Sequence, residues 1–294
     1  MTMTSAVSES EASCLNTLPV GGITPRAFRA LAERVYGYCG IVFGPEKHTL
    51  MANRLRKRIA ALGLGSYDEY AERLGADDGG AELDVFIDLM TTNHTGFFRE
   101  EEHFRVLGAQ VLPELARERL QPGAVLRMWS AACASGEEPY SMAMVAAQAQ
   151  RRDLIPGWEI LGSDISQTML AVAERGIYAR DRLQPVPPEL VSSCFLQGVR
   201  SQAGFVRLDP DIRRQVRFER INLLDDDYRL GGPQHVIFCR NVMIYFDDAT
   251  RAGVLWRLRE QLHPGGYLFV GVSESLGNLC GGLEPVSHGV YRRT

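Results

Sequence analysis

The stretch VLRMWSAACASGEEPYSMAMVAAQAQ, residues 125–150, joins an apolar segment to a helix-forming segment through a run of small residues. Residues 125–129 predict a buried strand, residues 130–136 a tight turn, and the Ala- and Met-rich residues after Pro139 a helix. In a doubly wound α/β sheet, a strand, a tight turn and a helix N-terminus in this order form the corner that binds a cofactor. The stretch therefore predicts an α/β fold with a ligand at this corner.

The chemistry of this corner narrows the choice of ligand. The turn contains one glycine, Gly136, so the pattern G-x-G-x-x-G that cradles a pyrophosphate is absent. Glu137 and Glu138 stand at the mouth of the corner, where their charges would repel a phosphate. A cofactor without phosphates that carries an amine and ribose hydroxyls suits these residues better, which favours S-adenosylmethionine over NAD.

The composition is that of a soluble globular protein with two domains, or with one large domain and an appendage: 294 residues, 45% hydrophobic and 23% charged. No apolar run approaches the roughly 18 residues that cross a bilayer. Residues 1–22 are Ser/Thr-rich and lack the basic and apolar parts of a signal peptide, so we expect a disordered tail and a cytoplasmic protein. The six cysteines form no C-x-x-C pair, which favours free thiols and no metal site.

The net charge of −4 is unevenly distributed. Residues 24–75 contain nine Lys or Arg and five Asp or Glu, a balance of +4, so the rest of the chain carries about −8. Apolar spacing predicts helices across residues 23–90, and Lys47, Arg54 and Arg58 form a basic stripe on the second of them. Such a stripe is either a solvated helix face or a surface that docks an acidic partner.

Several polar residues occupy positions where an α/β sheet places its ligands. Asp164 ends the second predicted strand and either binds ribose hydroxyls or caps the next helix. Asn241 follows a buried strand and either contacts a ligand or forms an Asx turn. Tyr245 either reaches the reacting centre or packs, and Arg99, after two phenylalanines, either clamps a carboxylate or anchors the surface.

The alternation of strands and helices is interrupted between the second and third strands of the predicted sheet. Prolines and short alternating runs predict a small antiparallel β insertion at residues 178–220. Further on, residues 263–266, HPGG, predict a turn before another strand, and the C-terminal VYRRT is expected to close the sheet.

Six stretches together resemble the chemotaxis receptor methyltransferases of the CheR family: TTNHTGFFREEEHF, WSAACASGEEPYSMAM, SDISQTMLAVAERGIY, INLLD, VIFCRNVMIYFD and PGGYLFVGVSES. The resemblance implies a small all-helical domain at residues 23–90 and a Rossmann-like class I methyltransferase domain, with a seven-stranded mixed sheet, at residues 91–294. It implies an enzyme that transfers a methyl group from S-adenosylmethionine to glutamate side chains of methyl-accepting chemotaxis receptors, giving glutamyl methyl esters and S-adenosylhomocysteine.

The resemblance also implies roles for individual residues. The expected cofactor-binding residues are Asn93, Thr95, Arg99, Glu137, Asp164, Asn222, Leu223, Asn241 and Val242. Arg99 is expected near the methionyl carboxylate and Tyr245 beside the methyl-transfer site, so these two are the expected catalytic residues. The sequence departs from the family at His235, where Asp is usual, and at Val272, where His is usual.

The expected partner is a chemotaxis receptor, whose acidic helices the stripe of Lys47, Arg54 and Arg58 would face. The β insertion resembles a subdomain that, in some family members, docks a peptide from the receptor's C-terminus as an added strand. We expect a monomer that neither inserts into a membrane nor binds nucleic acid.

Methyl transfer to glutamate requires no general base, because a carboxylate with an ordinary pKa of about 4.3 is ionised at neutral pH. Holding the reacting atoms in line contributes up to ~7–11 kcal/mol, so positioning is expected to dominate catalysis. Two alternatives stay open: a methyltransferase-like adaptor that binds receptors without turnover, and an NAD-dependent oxidoreductase, which the missing glycines disfavour.

Overall fold

The structure, a computed structural model, describes residues 21–76, 80–118, 124–277 and 281–294. The predicted tail at residues 1–22 lies outside these ranges except for its last two residues. The described chain forms two compact units, of which one contains residues 21–37 and 43–90 and the other contains residues 38–42 and 91–294. Within the described ranges, no helix is both long enough and apolar enough to span a bilayer.

The first unit is helical because its apolar residues recur at helical spacing. The helices are α1 Pro25–Cys39, α2 His48–Ala61, α3 Tyr67–Ala76 and α4 Ala81–Met90, with a 3₁₀ turn at Pro45–Lys47. Thr24 caps α1 by accepting a hydrogen bond from the Ala27 N–H at 3.0 Å. Met51, Leu55 and Ile59 form the buried face of α2. Helix formation across this region is therefore confirmed.

The second unit alternates strands and helices. Its helices are α5 Glu101–Val106, α6 Leu112–Glu118, α7 Glu137–Arg151, α8 Gln167–Arg175, α9 Pro188–Cys194, α10 Pro210–Arg213 and α11 Asp248–Gln261. Its strands are β1 Leu126–Ala131, β2 Trp158–Asp164, β3 Ile177–Ala179, β4 Phe195–Gln197, β5 Phe205–Leu208, β6 Val216–Arg220, β7 Gln234–Cys239, β8 Leu262–Phe269, β9 Leu283–Ser287 and β10 Val290–Arg293. A π-helical turn, Leu107–Val111, joins α5 to α6.

Seven strands form one mixed sheet in the order β6-β2-β1-β7-β8-β10-β9. The first five run parallel, whereas β10 pairs antiparallel with both β8 and β9. The chain order reverses at β1, which lies between β2 and β7, so the crevice beyond its carboxyl end is the topological switch point. The predicted α/β class and the seven-stranded mixed sheet are confirmed.

Buried side chains cover both faces of this sheet, as a parallel sheet requires. Neighbouring residues of β1 show the alternation: Met128 lies in the core that contains α7, and Trp129 lies in the core that contains Leu255 and Leu258 of α11. The two cores hold the strands of the sheet in place, and the position of their carboxyl ends determines the position of the crevice.

Strands β3, β5 and β4 form a separate antiparallel sheet in that order. The predicted antiparallel insertion is confirmed, but its predicted range of residues 178–220 extends too far. Val216–Arg220 is β6, which pairs in parallel with β2 at the edge of the main sheet. An edge strand with one half-exposed face alternates in polarity as a strand of a small sheet does, so the pattern does not separate the two.

The predicted turn at residues 263–266 is also wrong, because these residues lie within β8. The pairing of β8 with β7 jumps from Gln234 opposite Leu262 to Val236 opposite Tyr267. Gly265 has a φ of +77°, which suits such an irregularity in the strand.

Candidate active site

A cavity of about 850 Å³, including the space at its mouth, lies beyond the carboxyl ends of β1, β2 and β7. Its walls include the predicted residues Asn93, Thr95, Arg99, Asp164, Asn222, Leu223, Asn241, Val242 and Tyr245. The fold therefore brings predicted residues from four separate sequence stretches to one cavity.

Glu137 is the predicted cofactor residue that does not belong to these walls. Its carboxylate is 1% exposed, accepts a hydrogen bond from the Ser135 hydroxyl at 2.6 Å and pairs with Arg182. The next residue, Glu138, lines the cavity instead. A direct contact of Glu137 with the cofactor stays a prediction.

Asp164 is held at the cavity wall by two backbone groups. Its Oδ2 accepts from the Ala134 N–H at 2.8 Å, and its Oδ1 accepts from the Ser166 N–H at 2.9 Å. The residue that caps α8 is Ser166, whose hydroxyl accepts from the Met169 N–H at 3.1 Å. The cap interpretation of Asp164 is therefore wrong, and its role towards a ribose stays a prediction.

The turn after β1 requires small residues because of its backbone. Ala132 and Ala134 have φ values of +61° and +47°, a region that bulky side chains avoid. Gly136 has a φ of +92°, and a Cβ there would lie 2.7 Å from the Cβ of Ala173. The backbone of the turn thus approaches both the cavity and α8 closely, which is the physical meaning of the small-residue run.

Arg99 reaches the cavity because the two residues before it are anchored in the core. Phe97 and Phe98 are 1% and 7% exposed, and the Phe98 N–H donates to the Ser141 hydroxyl at 3.0 Å. Arg99 then donates through Nη1 to the His94 carbonyl at 2.9 Å, which holds the guanidinium beside its own loop. The phenylalanines anchor the segment and Arg99 lines the cavity, whereas its contact with a carboxylate stays a prediction.

A buried network of charges reaches the cavity wall, which Glu138 and Arg240 line. Arg240, whose side chain is 1% exposed, donates through Nε to Glu138 at 2.8 Å and through Nη1 to Glu100 at 3.2 Å. The Ser130 hydroxyl donates to the other oxygen of Glu138 at 2.7 Å. The charge of this buried cation is compensated by two carboxylates, and the contacts through Glu138 hold the ends of β1 and β7 against each other.

The same network holds Asn241. Its side-chain amide donates to Glu100 at 3.1 Å, and its backbone N–H donates to Glu274 at 2.7 Å. The φ of Asn241 is +58°, and its side chain bonds across the chain rather than to its own turn, so the Asx-turn interpretation is wrong. Glu274 also accepts from the Gly271 and Ile244 N–H groups at 2.8 and 3.2 Å, which orders the loop that carries Tyr245.

His103 belongs to this network as a neutral imidazole. Burial, followed by the charge of Arg240, lowers the pKa of His103. Its Nδ1 accepts from Arg240 at 2.9 Å, and its Nε2 donates to the His288 carbonyl at 3.1 Å, which assigns the tautomer. His103 is 1% exposed and serves the packing of Arg240 rather than acid–base chemistry.

Sequence reasoning placed Glu138 at the mouth of the corner, but it did not identify Glu100, His103, Glu138, Arg240 and Glu274 as members of one charge network. All five lie inside the quoted motifs, in the segments FREEEH, GEEP, CRN and SES. A charged residue within or next to an apolar strand, such as Arg240 after HVIFC, is the signal that indicates a buried and partnered charge.

The far side of the cavity is more apolar. Ile165, Ile221 and Leu223 line it. Asn222 donates through its side-chain amide to the Tyr38 carbonyl at 2.6 Å, which attaches the segment of residues 38–42 to this side. Cys39 of that segment also lines the cavity, and burial raises the pKa of its thiol to about 11, so it is no nucleophile at neutral pH.

These residues fit S-adenosylmethionine. Asp164 would hold the ribose hydroxyls, Arg99 the methionyl carboxylate, and the apolar wall with Leu223 the adenine. The described wall offers no glycine-rich loop for phosphates, and its acidic residues are Glu138 and Asp164. When bound, the cofactor supplies an electrophilic methyl group.

The basic stripe of the helical unit is partly engaged within that unit. Arg58 pairs with Glu82, which is 8% exposed and also accepts from the Tyr70 hydroxyl at 2.9 Å. Arg54 donates to the Met90 carbonyl at 2.6 Å, and Lys47 lies 5.5 Å from the centre of the Phe43 ring. The contacts of Arg58 stabilise the helices, and receptor binding by the stripe stays a prediction.

The sheet order is Rossmann-like, and the cavity lies at the switch point. Because its walls suit a cofactor without phosphates, these features together define a Rossmann-like methyltransferase domain. Residues 93–289 match the CheR methyltransferase SAM-binding domain, and residues 26–91 match the CheR methyltransferase all-alpha domain. The chain belongs to the CheR methyltransferase family, and its cofactor is S-adenosylmethionine.

Curated relatives cover most of the chain. It is 40% identical to the chemotaxis protein methyltransferase of Salmonella typhimurium, over 86% of this chain and 84% of that protein. It is 39% identical to chemotaxis protein methyltransferase 2 of Pseudomonas aeruginosa, over 91% and 93%. It is 38% identical to the chemotaxis protein methyltransferase of Escherichia coli K12, over 86% and 85%. The predicted family is confirmed.

Proposed function

We propose that this protein transfers the methyl group of S-adenosylmethionine to glutamate side chains of chemotaxis receptors, forming glutamyl methyl esters. The observation that carries the proposal is one cavity in which Arg99, Asp164, Asn241 and Tyr245 meet at the switch point. Family membership, with curated relatives named chemotaxis protein methyltransferases, supports the receptor as the substrate.

The chain's own residues supply position rather than acid–base chemistry. The receptor carboxylate is ionised at neutral pH, so the site has only to hold it in line with the methyl group. Arg99 and Tyr245 line the cavity on segments that the core and Glu274 hold in place. The magnitude available from such positioning, ~7–11 kcal/mol, is enough for the larger part of the rate enhancement.

The proposal extends to where and how the protein works. It acts in the cytoplasm as a monomer, and its helical unit presents basic residues to the acidic helices of a receptor. The local balance of +4 in residues 24–75 supports this, as do the exposed side chains of Arg56 and Lys57 on α2. Size-exclusion chromatography with light scattering tests the monomer directly.

The β insertion is a second candidate contact with the receptor. Its strand β4 is an edge strand, and Leu196 of β4 and Phe205 of β5 are 50% and 45% exposed. An edge strand beside exposed apolar side chains suits the addition of an extended peptide. Calorimetry with a peptide from the receptor's C-terminus tests this, and an absence of heat at high micromolar concentrations would limit docking to the helical unit.

Two measurements test the proposed function. S-adenosylhomocysteine should raise the melting temperature of the protein, whereas NAD should not, because ligands that bind the folded state stabilise it. Tritium transfer from labelled S-adenosylmethionine to receptor-containing membranes should give base-labile counts. Stabilisation without transfer would identify the receptor-binding adaptor instead, and stabilisation by NAD would identify the oxidoreductase.

A further inference from the structure

The base of the β insertion contacts two of the loops beside the cofactor cavity, the turn after β1 and the segment of residues 93–99. The Tyr178 hydroxyl donates to the Ser135 carbonyl at 2.7 Å, in the turn after β1. Arg182 donates through Nη2 to the Thr95 carbonyl at 3.0 Å, in the segment that leads to Arg99. The same nitrogen pairs with the buried carboxylate of Glu137 at the start of α7. One guanidinium thus joins three elements that lie far apart in sequence.

Aromatic packing reinforces these polar contacts. The ring of Phe97 meets Tyr178 edge-on at 5.0 Å between centroids and meets Phe195 edge-on at 5.6 Å. A Cβ on Gly136 would come within 3.0 Å of the Tyr178 hydroxyl, so the insertion lies directly against the turn. A shift of the insertion's base would therefore move both cofactor loops.

We propose that Arg182 is a positioning residue for cofactor binding, through which the β insertion holds the segment of residues 93–99 against the start of α7. The inference rests on the proposed function, because it takes Asn93, Thr95 and Arg99 to be cofactor residues. Glu137 then acts as the buried anchor of Arg182, which explains an acid at that position whose side chain lies outside the cavity wall.

The charges determine what happens when Arg182 is lost. Glu137 is 1% exposed, whereas the Arg182 side chain is 44% exposed, so the carboxylate is the buried partner of this ion pair and the arginine its solvent-facing partner. Without it, the Glu137 carboxylate keeps the Ser135 hydroxyl as a hydrogen-bond donor, and the Thr95 carbonyl loses its charged donor. The segment of residues 93–99 is then held less firmly, so it loses more conformational entropy when the cofactor binds.

The test compares Arg182→Gln with Arg180→Gln, a change at an exposed arginine of the same 3₁₀ turn. Calorimetry with S-adenosylhomocysteine should show about a five- to tenfold weaker affinity for Arg182→Gln and no change for Arg180→Gln. The KM for S-adenosylmethionine should rise by a similar factor while kcat stays within about twofold, since the reacting groups are untouched. Arg182→Lys, which keeps a cationic nitrogen, should recover part of the affinity.

Equal affinities of Arg182→Gln and Arg180→Gln would overturn the inference, as would a loss of kcat with an unchanged KM. If Arg182→Gln fails to fold, Tyr178→Phe decides: it keeps the ring and removes the bond to Ser135, and an unchanged affinity would overturn the role of the insertion. Failure of the proposed function looks different, since the wild-type protein would then neither bind S-adenosylhomocysteine nor label receptors.

Discussion

Replacing Arg240 by Leu tests whether the buried charge network holds the active site together. Arg240 lies between the carboxylates of Glu138 and Glu100, whose side chains are 11% and 14% exposed. The leucine would pack against the rings of Phe104 and Phe238, which lie 5.1 and 5.3 Å from the guanidinium carbon. The perturbation therefore removes the charge while keeping an apolar side chain in place.

The expected loss of stability follows from the two carboxylates that remain. Removing one partner of a buried ion pair costs about 3–5 kcal/mol, because the remaining charge is buried without compensation. In a unit of about 200 residues, 1 kcal/mol corresponds to about 2–4 °C in Tm, so Arg240→Leu should lower Tm by about 6–20 °C. The affinity for S-adenosylhomocysteine should fall as well, since Glu138 and Asn241 both line the cavity.

Urea unfolding followed by circular dichroism measures the free energy of unfolding for Arg240→Leu, Glu138→Gln and the double variant. The loss of stability in the double variant should be smaller than the sum of the two single losses by about 1 kcal/mol or more. The reason is that Glu138→Gln removes a charge that Arg240→Leu leaves without its partner. Arg105→Leu, which breaks an exposed pair with Glu102, is the control and should change stability little. Additivity within about 0.5 kcal/mol, or a loss below about 1 kcal/mol for Arg240→Leu, would refute the network.

Three further predictions follow from the site, the core and the charged surface. Arg99→Ala, Asp164→Ala and Asn241→Ala should each weaken cofactor binding or methyl transfer by about 10- to 100-fold with near-native circular dichroism, and wild-type kinetics in all three would contradict the site. Burial, followed by the neighbouring His263, lowers the pKa of His235 to about 4, against about 6.5 in the unfolded chain. The contribution of neutral His235 to stability is therefore complete above pH 6.5 and falls as the pH drops towards 4. Urea unfolding should show a free energy of unfolding about 2 kcal/mol lower at pH 5 than above pH 6.5 from this residue, and His235→Asn should flatten that part of the pH profile. Lys57→Glu should impair receptor methylation while leaving S-adenosylhomocysteine affinity intact, and a loss of cofactor affinity instead would contradict receptor docking by the helical unit.

Much of the fold is legible in the sequence because its signals are local. The small residues after Trp129 indicate a turn with a left-handed backbone. Continuous apolar strands such as β7 indicate a parallel sheet that is covered on both faces. The insertion boundary was less legible, because β6 at the sheet edge has the same alternating polarity as the insertion. The residues HPGG predict a turn where the structure has an irregular strand, because such a strand tolerates the same glycine that a turn requires.

The partners of the charged residues were not legible, because they depend on contacts between distant parts of the chain. Glu138 and Arg240 are 102 residues apart, and Glu100 and Asn241 are 141 apart. No local pattern distinguishes an acid that lines a cavity from one that anchors a cation, which is why Glu137 and Glu138 were not told apart. Their difference arises from the insertion, which brings Arg182 to Glu137 alone.

The backbone shows why so many contacts converge here. Eight residues other than glycine have positive φ in the described chain. Three of them, Ala132, Ala134 and Asn241, line the cavity, and Phe98 and Glu100 flank Arg99, which also lines it. Such conformations cost of order 1–3 kcal/mol each and persist where the surroundings over-determine them. The Arg240 network supplies that constraint for Glu100 and Asn241, and Asp164 supplies it for Ala134 through its backbone N–H. An enzyme whose rate depends on alignment needs rigid loops at its reacting centre. The buried charges hold the backbone in place where the methyl donor and the carboxylate must meet.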